Sequence, residues 1–375
     1  MHTLPDPTAS GDSRSDGPRS DGPGSDGLRS DGLRADAPET VLNPAPGNAP
    51  LVAMAPGTQM GSRSRLTAKE SVFADGVFRS AVTFCAIALV ASVGLIVYEL
   101  IIQSHLSMSK FGFGFLTKQI WDPVGEDFGA LPFIFGTLVS ALVALILAVP
   151  LSIGTALFLT EICPRVIRPV LSMLVELLAA IPSVIYGLWG YFVLVPVLRL
   201  HVEPFLAKYM GWTGLFSGRM YGFGMLAAGT ILAIMILPII ASITREVIMA
   251  VPRQQREAAL ALGATKWEML RIAVLRNARP GILGAIILGM GRAFGETMAV
   301  TMLIGNRAEI SKSLFAPGNT LASVIANEFT EAVGNTYLSA LVEMALILFV
   351  LTLIVNGLAG LLVWSITRGT PRALA

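Results

Sequence analysis

Past residue 70 the chain alternates between long apolar runs and polar connections. Residues 80–98, 131–160 and 221–244 contain no charged side chain; residues 170–198 hold only Glu176, 281–306 only Arg292 and Glu296, and 337–367 only Glu343. Each run reaches or approaches the roughly 20 residues that a helix needs to cross a hydrocarbon core. Within lipid, every backbone donor and acceptor must be satisfied by the protein itself, and these runs are too long and too evenly apolar for barrel strands. The pattern therefore predicts an all-α integral membrane protein with six transmembrane helices, at about 77–102, 131–160, 168–198, 221–244, 280–306 and 337–367.

Residues 1–70 are of another kind. The pentads Ser15-Asp16-Gly17-Pro18-Arg19, Ser20-Asp21-Gly22-Pro23-Gly24 and Ser30-Asp31-Gly32-Leu33-Arg34 repeat small, polar and helix-breaking residues. Such sequence buries too little apolar area to offset chain entropy, which predicts a disordered cytosolic tail ahead of a membrane domain over 71–375. The extreme N-terminus has no basic flank leading into an apolar core and a small-residue cleavage site, so no signal peptide is expected there.

Composition agrees with a lipid-solvated chain. Of 375 residues 54% are hydrophobic and 14% charged, where soluble domains carry about a quarter charged residues. A net charge of +2 leaves no electrostatic footprint for nucleic acid. Cys85, Cys163, His2, His105 and His201 are too scattered for a disulfide framework or a metal site, so neither metal nor catalytic residues are expected.

Lysine and arginine fix the expected orientation. With the N-terminus in the cytosol, the inside collects Arg63, Arg65, Lys69, Arg79, Arg165, Arg168, Arg245, Arg253, Arg256, Lys266, Arg271, Arg276, Arg279, Arg368 and Arg372. The connections at about 103–130, 199–220 and 307–336 hold fewer, which places them outside and both termini in the cytosol. Trp121, Trp212 and Trp364 fall near predicted span ends, where an indole commonly anchors at the interface.

One cytosolic connection, over 251–276, reads as helix, glycine, helix. Pro252 suits a first helical turn, Ala258 to Leu262 favour helix, and Gly263 can take the left-handed conformation that ends it. Thr265 and Glu268 then form a capping box ahead of Met269, Leu270 and Ile272. The expected product is a bent helical knob rigidly joined to two spans.

The residues Glu257-Ala258-Ala259, followed after three positions by Gly263, resemble the EAA loop of ABC importer permeases, which docks in a groove of the ATP-hydrolysing subunit. Where that family usually has an isoleucine and a proline late in the motif, this chain has Ala273 and Arg276, with Pro280 a turn further on, so the bend into the fifth span is expected to be shifted. The runs Phe128 to Thr137, Ile181-Pro182-Ser183-Val184-Ile185-Tyr186-Gly187-Leu188-Trp189-Gly190 and Gly291-Arg292-Ala293-Phe294-Gly295-Glu296-Thr297-Met298-Ala299-Val300 resemble the PstC family of bacterial phosphate-importer permeases. In the sister PstA family, alanine and proline typically stand where this chain has Met298 and Ala299.

The resemblance implies a type I-like ABC importer permease in the bacterial inner membrane. It also implies a PstA-like second permease, a PstB-like ATP-binding subunit dimer in the cytosol and a periplasmic PstS-like phosphate-binding protein, with membrane lipid as the surrounding partner. No cofactor is expected on this chain. ATP belongs to the partner ATPase, and no phosphate-cradling G-x-x-x-x-G-K-S/T loop occurs in the sequence.

A translocated phosphate must shed water, so its path needs donors or positive charge without a permanent trap. Arg292 fits that need, with Glu296 four residues on where it can pair with Arg292, and Thr297 beside it. Ser183 and Tyr186 follow the breaker Pro182 and could offer hydroxyls to a passing anion, with a kinked packing helix as the stronger expectation. Gly281, Ala285, Gly289 and Ala293 form a small-residue ridge suited to close helix packing. Another oxyanion is the alternative solute, and a secondary transporter the alternative class. The latter needs no knob for an ATPase and is expected in many folds to show an inverted repeat, which is not seen here.

Overall fold

A computed structural model describes residues 64–367. The chain divides into two compact units, Met1–Ser71 and Val72–Ala375. Of the tail expected over 1–70, residues 1–63 lie outside the described residues, and 64–70 begin the first helix.

In chain order the α-helices begin with α1 Ser64–Phe111, α2 Gly114–Thr117, α3 Leu131–Leu157, α4 Arg168–Ala180, α5 Ser183–Trp189, α6 Val195–Val197 and α7 Glu203–Met210. There follow α8 Met225–Ala250, α9 Arg253–Ala261, α10 Lys266–Met269, α11 Arg276–Gly295, α12 Met298–Ile304, α13 Leu321–Glu328 and α14 Asn335–Thr367. Wider π-turns at Phe158–Ile162, Gly190–Leu194, Leu198–Val202 and Leu270–Leu275 extend or join several of these.

Among the described residues six helical stretches are long and apolar enough to cross a membrane: Asp75–Phe111, Leu131–Ile162, Ser183–Thr213, Met225–Met249, Lys266–Gly295 and Asn335–Ser365. The second and sixth agree with the sequence pattern. The third and fifth do not run as expected. Instead of one helix over 168–198, the chain breaks after Ala180, because Pro182 lacks an N–H and holds the preceding Ile181 extended (φ −67°, ψ 131°). The apolar helix that follows continues to Thr213. Instead of 280–306, the fifth helix begins at Lys266 and ends at Gly295, where Glu296 turns extended (φ −73°, ψ 126°) and α12 makes a new start. The fourth span starts after Gly224, not at 221. Gly222 and Gly224 have φ of +81° and +150°, and a Cβ on Gly224 would lie 2.7 Å from the Phe315 carbonyl oxygen.

α8 is the hub, packed by α3, α11, α12 and α4. Its contact with α3 is lined by Ala141, Ala144 and Ala148 facing Ala228, Leu232 and Ile236. The hydroxyl of Ser152 donates to the Leu237 carbonyl (3.0 Å), next to Pro238. The ridge on α11 closes the other side, since a Cβ on Gly281 would meet Val247 at 2.5 Å and one on Gly289 would meet Ile240 at 2.7 Å. Small residues thus allow helix axes to approach without a hydrophobic driving force between them.

The connections at this end of the spans are folded in, not loose. Gly224, Met225 and Leu226 donate backbone hydrogen bonds to Leu303, Ala316 and Leu314, and Gly318 donates to Ile304. Trp121 is held in a cluster with Phe128, Phe133 and Tyr337, and its Nε1 donates to Glu328 (2.8 Å), so it braces a connection. Trp212, by contrast, is 87% exposed.

The charge pattern makes orientation testable with one highly exposed position at each end. In a variant with Cys85 and Cys163 replaced by alanine, Val333→Cys should react with an impermeant thiol reagent in cells whose outer membrane has been permeabilised. Leu262→Cys, 90% exposed in the knob, should not react until the inner membrane is opened. The reverse labelling pattern would contradict cytosolic termini.

Candidate functional site: two broken spans and a helical knob

The breaks in the third and fifth spans are brought together. α5, which follows the first break, packs on α12, which follows the second. Gly187 and Gly190 make the approach possible: a Cβ on Gly187 would lie 2.6 Å from Met302 Sδ and 3.1 Å from Ala299 Cα, and one on Gly190 would lie 3.0 Å from Leu303. Tyr186 is buried on this seam, and its hydroxyl donates to the Leu178 carbonyl (2.7 Å), tying α5 back across the break to α4. The same carbonyl also accepts the Ile181 N–H (3.3 Å), so the hydroxyl adds a second donor to it at the break. The Tyr186 hydroxyl is therefore a brace and not a free donor. It nevertheless lies within the field of the Arg292 guanidinium.

Arg292 occupies the last turn of α11 and is exposed on the isolated chain, about 20 Å along the helix from Arg279 at 1.5 Å per residue. The pairing expected with Glu296 is absent. The helix ends at Gly295, which carries Glu296 out of the i, i+4 register, and among the described residues neither side chain forms an ion pair. Glu296 and Thr297 are half-buried at the break, and Thr297 accepts from the Thr301 hydroxyl through its carbonyl (2.8 Å). Ser183 is half-buried at the start of α5, and its hydroxyl makes no hydrogen bond among the described residues. The sequence-derived residues thus gather at two adjacent breaks, with one unpaired cation.

At the opposite end of α11 the knob is formed as the spacing predicts, except that Pro252 precedes the first helical residue as its cap. α9 ends at Ala261, and Gly263 takes φ +85° with open space where a Cβ would stand. Thr265 and Glu268 close a capping box: the Thr265 N–H donates to Glu268 Oε2 (2.8 Å), and the Glu268 N–H donates to Thr265 Oγ1 (3.3 Å). Glu257 and Ala258 are exposed on α9, and Ala259 is half-buried against the spans. The chain turns into α11 through the π-turn Leu270–Leu275, after which the helix runs on through Pro280.

A family profile described as "Binding-protein-dependent transport system inner membrane component" matches residues 148–368. The chain belongs to that family. It is 48% identical over 297 residues to the phosphate transport system permease protein PstC of Mesorhizobium japonicum, covering 78% of this chain and 91% of that one. To the protein of the same name from Haemophilus influenzae it is 45% identical over 293 residues, covering 77% and 93%. A solved bacterial ABC transporter involved in the import of the acidic polysaccharide alginate shares the fold, with a TM-score of 0.52 at 17% identity over 80% of this chain and 99% of that chain. As a member of this permease family the chain is a membrane subunit and not itself an enzyme.

Four side chains fasten the knob of this permease through ties that the sequence reading does not identify. Arg256 Nη1 pairs with Glu161 Oε1 at the end of the second span (2.6 Å), and its Nη2 donates to the Ile248 carbonyl at the end of α8 (2.7 Å). Asn277 Nδ2 donates to Gln255 Oε1 (2.6 Å) and joins α9 to α11. The only signal in the sequence was one acid, Glu161, beside an arginine-rich face. Glu176, left unassigned from sequence, pairs with Arg245 (2.9 Å) and joins α4 to α8.

Gly187→Val should prise α5 from α12. Forcing a branched side chain against the Ala299 backbone costs about 1–3 kcal/mol. The expected result is a lower unfolding temperature of the detergent-solubilised protein, with Val184→Ala, a change at an exposed α5 position, as the nearly neutral control.

Proposed function

We propose that this chain is the permease subunit of an ATP-driven importer and forms part of the path for inorganic phosphate across the inner membrane. In this reading Arg292 meets the anion. The observation that carries it is an arginine inside a membrane-spanning helix, exposed at the meeting of two broken spans, with no carboxylate to neutralise it. A charge near the bilayer centre is unfavourable by roughly 2.5–3.5 kcal/mol on insertion scales, so an unpaired one needs a task. A static ion-pair lock with Glu296 has no support in the geometry. Glu296 and Thr297 are assigned to the rim of the path, where the carboxylate keeps the anion from being held too strongly, and Ser183 supplies a free hydroxyl.

The relatives named as phosphate transport permeases support phosphate over other oxyanions. The partners of this reading are a PstA-like permease, a PstB-like ATPase dimer at the knob and a PstS-like binding protein on the far side, with ATP bound only by the ATPase. Glu257, Ala258, Ala259 and Gly263 form the face that docks on the ATPase. The ties from Arg256 and Asn277 pass its movement to the second, fourth and fifth spans.

Arg292→Gln keeps hydrogen bonding and removes charge. It should abolish uptake of radiolabelled phosphate while the complex still assembles, and the parental transporter should take up phosphate in preference to sulfate and molybdate. Parental uptake by Arg292→Gln would remove the residue from the path.

Gly263→Val should uncouple ATP hydrolysis from uptake without loss of insertion. The left-handed conformation costs a β-branched residue about 1–3 kcal/mol, and space itself is not limiting. Parental uptake per ATP hydrolysed would contradict the rigid-knob assignment.

A further inference from the structure

Glu343 takes no part in the proposed path or the knob, yet it is a buried carboxyl within α14. It is 6% exposed within a membrane span, and its Oε2 has no hydrogen-bond partner. The Ser107 hydroxyl on α1 faces it, but that oxygen too is buried without a well-formed hydrogen bond. The Ser107 N–H is already engaged with Ser339 Oγ (3.0 Å), so α1 and α14 are fixed together around a buried carboxyl that faces one hydroxyl and, among the described residues, no cation. Burying such groups without partners costs about 1–3 kcal/mol each, more for a charged one.

Glu343 lines a groove of about 470 Å³, within the roughly 300–1,000 Å³ typical of small-molecule sites. Its other walls are apolar, among them Met108, Phe113 and Leu116 at the end of α1 and α2, Ile134 on α3, and Val350 and Ile354 on α14. Several of these residues are exposed, Val350 at 46% and Ile354 at 51%, so the groove opens on the apolar flank of the spans.

Depth tells what fits it. α14 has 33 residues and is about 50 Å long, roughly 20 Å more than a hydrocarbon core. Centred on the bilayer, it projects about 10 Å at each end. Glu343 then lies about 12 Å from Asn335, at the edge of the hydrocarbon where head groups end. From there Val350 and Ile354 carry the apolar wall towards the midplane. A carboxylate at head-group depth above an alkyl-lined channel is complementary to a lipid that bears a hydrogen-bonding cation on top.

We propose that the groove between α1, α2, α3 and α14 binds one phospholipid with a primary-amine head group, its ammonium on Glu343 and an acyl chain along Val350 and Ile354. It draws from the leaflet on the side away from the knob. A lipid with an anionic head group and no amine leaves Glu343 unpaired and is disfavoured. The site is separate from the solute path, so it stands or falls independently of the solute.

The test uses the assembled transporter in nanodiscs of phosphatidylcholine with either phosphatidylethanolamine or phosphatidylglycerol, and native mass spectrometry to count retained lipids. One phosphatidylethanolamine per transporter should survive delipidation, with phosphatidylglycerol not retained. Glu343→Ala should weaken retention by roughly tenfold or more, the loss of one charge-assisted hydrogen bond. Val350→Trp, which fills the groove and leaves the carboxylate in place, should also abolish it. A photoreactive benzophenone side chain at Val350 should form an adduct with lipid. Equal retention by both variants, equal retention of phosphatidylglycerol, no lipid adduct, or an adduct with another protein chain would each overturn the proposal.

Discussion

A break in a membrane helix leaves backbone groups that lipid cannot satisfy, and the arrangement of this permease follows from where its breaks lie and what covers them. Pro182 breaks the third span and Glu296 the fifth. Neither break is viable alone. The segments that follow them, α5 and α12, cover one another through Gly187 and Gly190, and the Tyr186 hydroxyl reaches back to Leu178. The same device recurs at the end away from the knob, where carbonyls of Leu303, Ala316 and Leu314 receive the first N–H groups of the fourth span. Irregular backbone at the ends of these two spans is thus lined by protein, and the exposed cation of Arg292 stands in the last helical turn before one of them.

The knob is the mechanical counterpart of that site. α11 runs from the π-turn after α10 to the break at Glu296, so one helix connects the exposed Glu257 and Gly263 region with the arginine at its far end. Arg256 and Asn277 prevent the knob from swinging freely, because they tie it to the second span and to α11 itself. A push on α9 is therefore borne by several spans at once. Small residues on α11 packed against α8 let the two helix backbones approach closely.

Much of this was legible in the sequence because lipid imposes a simple rule on composition. Apolar run length gave the six spans, and the capping box of Thr265 and Glu268 and the left-handed Gly263 were readable from residue type and spacing alone. The breaks were harder. Pro182 was visible as a kink, but hydropathy does not register a full interruption, and nothing in Gly295-Glu296-Thr297 marks a helix end as proline would. The ion pair expected between Arg292 and Glu296 failed for that reason, since i, i+4 geometry holds only where the helix continues. Long-range ties such as Arg256 to Glu161 join residues far apart in the chain and leave no local pattern. Glu343 was conspicuous as a charge in a span, whereas the groove beside it depends on how α1 and α14 meet.

The central claim is that the positive charge at the two breaks acts on the anion itself. It is tested most directly by chemical rescue in proteoliposomes that hold the assembled transporter with Arg292→Ala. Exogenous guanidinium should restore phosphate uptake in a concentration-dependent way, and urea, equal in shape but uncharged, should not. Uptake that is unaffected by the substitution, or that guanidinium leaves abolished while the complex still hydrolyses ATP, would contradict a direct role for that charge.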